Sequence, residues 1–170
     1  ELKDHGASFS SLQKLKKGNS YMPNFNSLGF NYRYTDIQAA VGFSQLKKLK
    51  VFISERNKWA EIYNRNLNQY KDIFIPYLNN DNLLNSFQSY VFKVKNKKMR
   101  NQLIEYLSMS NIQSRPGTHS IPQLNYYKKI FGFKKNDFPN AFEWENNSIA
   151  IPLHNCMKKD DYNFVIRKLN

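Results

Sequence analysis

A chain of 170 residues with 41% hydrophobic and 15% aromatic content suits one packed domain plus a connecting segment and excludes a disordered chain. Its single cysteine, Cys156, excludes an internal disulfide and points to a reducing, cytoplasmic setting, and no stretch approaches the roughly 20 apolar residues of a membrane-spanning helix. The formal charge of +13, from 26 Lys and Arg against 13 Asp and Glu, fits either a field for nucleic acid or phosphorylated substrates, or lysines solvated on helix faces.

The chain opens with Glu1 and "ELKDHG", which reads as the end of a helix closed by His5 and Gly6, as expected of a piece of a larger protein. Residues 7–27 are rich in Ser, Asn and Lys and read as a connector. Thr35 and Gln38 have capping-box spacing, so a helix is expected from Thr35 to about Leu49, with Ile37, Ala40 and Val41 on one side. A second helical run places Phe52, Arg56, Trp59, Ala60, Tyr63, Leu67 and Tyr70 on one face. Pro76 and "NNDN" (79–82) end it.

"SYVFKVK" (89–95) alternates Tyr90, Phe92 and Val94 against Val91, Lys93 and Lys95, the pattern of a half-buried strand. Asn96 caps a helix through Leu107, with Met99, Leu103 and Leu107 on its buried side. "NIQSR" reads as a short strand broken by Pro116-Gly117. Asp137 and Pro139 mark a helix start over "DFPNAFEWENN". "SIAIPL" (148–153) reads as a buried strand stopped by Pro152, and Tyr162, Val165, Ile166 and Leu169 share one face of a final helix. Long helices followed by short strands and single helices make an α+β domain, a small sheet covered on one face.

The sequence contains no Gly-rich phosphate loop, CxxC pair or HExxH motif, and His5, His119 and His154 lack partners at metal-ligand spacing. Cys156 lies two residues from His154, a poor arrangement for a thiol nucleophile, and reads as inert. Two polar stretches stand out. Asn31 and Arg33, just before the capped helix, suit an anion, or alternatively a surface ion pair beside a helix start. Arg115 and His119 flank a Pro-Gly turn in "SRPGTHSIP" (114–122), where polar groups either converge on a pocket or are merely exposed.

Read in order, these stretches resemble the nucleotide-sugar aminotransferases of the DegT/StrS type. "GFNYRYTDIQAAVGFSQLKKL" resembles the family's G-x-N-x-R-x-x-x-(I/L)-Q-A-A-x-G-x-x-Q-L segment. "KDHGAS" is similar to the R-N-H-G after the cofactor lysine, "ISERN" to an I-x-x-R-R helix, and "QSYVFKV" to an aromatic strand. "SRPGTH" resembles the T-R-P-G-T-H substrate loop, and "DFPNAFEWENNSIAIPLHNCMKKDDYNFVI" the family's ending.

The resemblance implies the C-terminal part of a pyridoxal 5'-phosphate enzyme of the type I aminotransferase fold: residues 1–34 as connector and cofactor-phosphate loop, residues 35–170 as the small domain with a mainly antiparallel sheet. It implies Asn31 and Arg33 as cofactor-phosphate ligands reaching across a homodimer interface, and Arg115 and His119 as contacts to the nucleotide-linked sugar. It implies amino transfer, with glutamate as the usual donor. No lysine here sits in the family's S-x-H-x-x-K context, so no catalytic residue is assigned to this chain, which is not expected to act alone. Some relatives carry histidine at that lysine position and dehydrate sugars. The competing class is a basic nucleic-acid module, which the scattered lysines and the lack of any module signature disfavour.

Overall fold

The computed structural model describes residues 5–8, 16, 24–76 and 84–170. Most of the expected connector and the "NNDN" cluster lie outside them. The chain divides into two compact units, Glu1–Leu49 and Lys50–Asn170.

In the first unit, residues 5–8 run beside 24–30. Ala7 bridges Phe25, Ser8 N donates to Asn24 O at 2.7 Å, and His5 N donates to Phe30 O at 3.0 Å. The approach depends on glycine. Gly6 has φ +81°, and a Cβ there would sit 1.8 Å from the Ser27 carbonyl oxygen. Such a position admits no other residue without rebuilding the turn. This packing fixes the segment that leads into the loop 31–34.

Helix α1 (Asp36–Leu46) starts at the expected place. Thr35 N donates to Gln38 Oε1 at 3.0 Å and Gln38 N donates to Thr35 Oγ1 at 3.3 Å, a complete capping box. None of its residues is buried; Ile37 is 80% and Phe43 65% exposed.

The second unit is built on α2 (Leu49–Leu67), whose Ala60, Tyr63 and Leu67 are buried. Strands β1 (Ile73–Phe74), β2 (Tyr90–Val94), β3 (Arg115–Pro116) and β4 (Ser148–Ile151) form one antiparallel sheet in the order β1-β2-β4-β3. β2 and β3 are each antiparallel to β4, so they run the same way. Helix α3 (Lys97–Met109), capped by Asn96 accepting from Met99 N at 2.9 Å, carries the chain from one to the other. A short 3₁₀ turn (Ile121–Gln123), α4 (Asn125–Phe131) and α5 (Pro139–Asn147) lead to β4, and α6 (Lys159–Leu169) closes the chain.

The alternation in β2 is as the sequence reads. Tyr90, Phe92 and Val94 are buried and join Tyr63, Leu107, Ile149, Ile151, Tyr162 and Val165 in one core. Trp59 stacks on Tyr162 at 4.1 Å between ring centroids, and Tyr63 tilts against Tyr90 at 5.0 Å. Burying each such ring contributes about 1.5–3 kcal/mol, which is why the aromatic face of α2 docks here. Across the sheet, Lys93 reaches Glu143 of α5 at 2.7 Å.

Three local expectations shift. The strand anticipated at "NIQSR" is confined to Arg115–Pro116, because Ile112 folds back as Ile112 N bonds Leu107 O at 2.9 Å. Pro116 lies inside that strand instead of breaking it. β3 is an edge strand, where a residue without an N–H is tolerated. Asp137 does not cap α5; it accepts from Lys134 N at 2.8 Å, and Phe138 takes the cap position.

Candidate functional site

Asn31 and Arg33 sit together on the exposed loop before α1, and Arg33 Nε donates to Asn31 Oδ1 at 3.2 Å. With its carbonyl oxygen taken up in this way, the donating end of Asn31 is its NH₂ group. Phe30 and Tyr32 stack beside the pair with ring centroids 5.0 Å apart. The capping box fixes where the helix begins, and therefore where this donor pair stands. An amide beside a guanidinium is a donor set suited to a phosphate.

Arg115 and His119 belong to the second unit, and the structure places them on different cavities. Arg115 is opposite Ala150 in the β3–β4 register and lines a cleft of about 490 Å³ with Gln88, Gln113 and His154. His119 lines a cavity of about 420 Å³ with Lys97, Arg100 and Lys128. Its Nδ1 lies 3.8 Å from Glu145 Oε1. Strand β3 holds Arg115 but ends at Pro116, so His119 lies beyond it, past the Gly117 turn, and is not bound to the face that Arg115 takes. Gly117 then brings the backbone close in: Gly117 N bonds Ser148 O at 3.1 Å, and a Cβ would meet Val91 Cγ1 at 2.4 Å.

Two residues near these clefts escaped the sequence analysis as site elements. Arg56, read only as part of a helix face, ties α2 to both segments that border the Arg115 cleft. Its Nε donates to Asn155 Oδ1 at 2.9 Å and its terminal nitrogen to Phe87 O at 2.9 Å. Asn155 in turn donates to Phe52 O and Glu55 Oε2, each at 3.1 Å. Arg100 is buried on α3. The signal for it was its position seven residues before Leu107, two turns along the same helix face.

Cys156 is a free, exposed cysteine, and His154 engages the fold through its carbonyl oxygen, which accepts from Tyr162 Oη at 3.0 Å. No helix among the described residues is long and apolar enough to cross a membrane. No group of three or more His, Cys, Asp or Glu among them could hold a metal ion.

Residues 1–170 match the DegT/DnrJ/EryC1/StrS aminotransferase family. The spore coat polysaccharide biosynthesis protein SpsC of Bacillus subtilis is 30% identical over 166 residues, covering 95% of this chain and 42% of the relative. GDP-4-keto-6-deoxy-D-mannose 3-dehydratase of Escherichia coli O55:H7 is 30% identical over 147 residues, covering 81% of this chain and 36% of that protein. In fold, the chain is similar to the aminotransferase from Psychrobacter cryohalolentis, with a TM-score of 0.82 at 19% identity, covering 99% of this chain and 46% of that one. The chain thus spans less than half the length of these relatives.

Proposed function

We propose, from the premise that this chain belongs to the DegT/DnrJ/EryC1/StrS aminotransferase family, that it is the C-terminal part of an enzyme that transfers an amino group to a keto group of a nucleotide-linked sugar. The donor would be an amino acid, glutamate first, and the product an amino sugar for cell-surface polysaccharide or a related pathway. The observation that carries this reading is the family match over all 170 residues, with an amide–guanidinium pair held before a capped helix at its centre.

The cofactor implied is pyridoxal 5'-phosphate, and the residues present fit its phosphate. The Asn31 amide and the Arg33 guanidinium stand side by side on one exposed loop and bring N–H donors and a positive charge. Bound, the group supplies an electron sink that lets an amine and a carbonyl exchange. Asn31 and Arg33 would neutralise and orient the phosphate end. The apolar surface of α1, exposed at Ile37, Val41, Phe43 and Leu46, would be covered by the rest of a homodimer and exclude water from the same region. Arg115 would meet the charge of the nucleotide diphosphate, since guanidinium forks match phosphate oxygens. His119 would offer a ring nitrogen to a sugar or phosphate oxygen, with Nδ1 facing Glu145.

The test joins this chain to the N-terminal part of a family aminotransferase. The joined protein should dimerise, hold the cofactor's visible band, and move a ¹⁵N-labelled amine from glutamate onto a keto-sugar nucleotide, seen by mass spectrometry. The 170-residue chain alone should acquire no band that borohydride fixes to one lysine. A folded, cofactor-loaded dimer that transfers no amine would overturn the reading.

The similarity to a sugar dehydratase supports a second reading within the family, loss of a sugar hydroxyl. The residue that the same reading frame encodes at the cofactor-lysine position separates the two: lysine for transfer, histidine for dehydration.

A further inference from the structure

Arg100 is only 6% exposed, and its Nε is shielded from solvent with no hydrogen-bond partner among the described residues. No carboxylate among them lies within ion-pairing distance of its guanidinium. An arginine stays protonated at any pH a folded protein tolerates, and a buried cation without a counter-charge is strongly disfavoured. Helix packing alone does not call for a charge here. Leu103 and Ile104 of the same helix pack against the core as ordinary hydrophobics.

The accessible edge of Arg100 opens on the cavity of about 420 Å³ that His119 also lines. Lys97 and Lys128 line it as well, from α3 and α4. Glu145 is the one carboxylate among the lining residues, and it lies against His119 at 3.8 Å. Three fixed positive charges therefore face one negative charge, around a volume larger than a phosphate group needs. We propose that this cavity is an anion site that takes a phosphate or phosphate ester, with Arg100 as its buried ligand and Lys97 and Lys128 as its rim. A phosphate at the accessible edge of the guanidinium supplies the counter-charge that Arg100 lacks, and a dianion offsets the net charge of the lining. The proposal stands on the charge and burial of this one cavity and does not rest on the amino-transfer reading.

The test titrates the 170-residue chain with inorganic phosphate, then with a nucleoside diphosphate, against chloride at matched ionic strength. Two readouts are followed: calorimetric binding and the Arg100 Nε–H resonance in ¹H–¹⁵N spectra. Phosphate also stabilises proteins by exclusion from their surface, so thermal stabilisation alone does not count. We expect saturable binding that moves the Arg100 Nε–H signal. Arg100→Met should weaken it about tenfold or more, the effect of losing a hydrogen bond to a charged group. Lys128→Ala, at an exposed position that folding does not need, should weaken it severalfold. Tighter binding of the nucleoside diphosphate identifies a nucleotide as the source of the phosphate, and equal binding identifies free phosphate; either outcome supports the site. An Arg100 Nε–H signal unmoved by both probes, or binding unchanged in Lys128→Ala and Arg100→Met, overturns it. If Arg100→Met fails to fold, the resonance and Lys128→Ala decide.

Discussion

Arg56 and Asn155, 99 residues apart in sequence, are joined side chain to side chain at 2.9 Å, and the same guanidinium holds the Phe87 carbonyl at 2.9 Å. One half-buried arginine thus ties α2 to the segments entering β2 and leaving β4, which together border the Arg115 cleft. We predict that Arg56→Met lowers unfolding free energy by about 1.5–3 kcal/mol, the range for a lost hydrogen bond to a charged group. Urea unfolding measures the loss, and amide exchange should quicken at residues 87–89 and 154–156. A change within about 0.5 kcal/mol would show that the clamp is dispensable.

Gly117 governs the other border. Its amide continues the β3–β4 ladder, and an added Cβ would lie 2.4 Å from Val91 Cγ1 and 2.6 Å from Ser148 Oγ. Both are side chains of well-packed strand residues, so they yield only by leaving favoured rotamers. Gly117→Ala should cost about 1–3 kcal/mol as an overpacking defect. It should also displace Thr118 and His119, which the His119 imidazole resonances would register. A variant as stable as the parent with unshifted resonances contradicts this.

The pH dependence follows from the tyrosines of the core. Burial, then the neighbouring Tyr162 and Tyr90, pushes the Tyr63 hydroxyl far above its ordinary value near 10, and burial pushes Tyr162 up as well. The unfolded phenols ionise near pH 10 while the folded ones stay protonated. Their contribution is therefore complete below pH 10 and is lost as pH rises above it. Stability should fall steeply from about pH 10 upward. Tyr63→Phe should make that fall shallower by about one proton. At neutral pH it should cost about 1 kcal/mol, since the Pro152 carbonyl loses its donor at 2.9 Å. An unchanged alkaline slope in the variant would show that Tyr63 ionises alike in both states.

What could be read from the sequence follows from how each feature is encoded. Alternation in Tyr90–Val94 and the Thr35–Gln38 and Asn96 caps are local patterns, and each produced its element in place. Strand β1 has two residues and α4 seven, too short for a period to emerge. In α4, moreover, Tyr126, Ile130 and Phe131 are exposed, so no buried stripe marks the helix. Pro116 looked like a breaker because edge position is a tertiary property. Arg115 and His119 are four residues apart and seemed one cluster, but a two-residue strand between turns sends them to separate cavities. Arg100 was not singled out, because charged residues on a helix are mostly solvated, although it lies two turns before Leu107 on the face that α3 buries.

The last prediction concerns the loop before α1, within the dimeric enzyme that this chain is proposed to complete. Asn31→Ala or Arg33→Ala should speed loss of the cofactor while leaving the fold intact. Thr35 and Gln38 cap the helix without help from either side chain, and both residues are exposed in the first unit. The phosphate, in contrast, loses a donor worth roughly 1.5–3 kcal/mol, so dissociation should quicken about tenfold or more per lost contact. If these groups act on the partner's cofactor, an Arg33→Ala subunit mixed with one lacking the cofactor lysine gives a direct assay. Each mixed dimer then holds one site with both defects and one site with neither, and amino transfer should recover in part. Mixed dimers that form, as native mass spectrometry can verify, yet recover no activity would mean that Arg33 serves its own subunit.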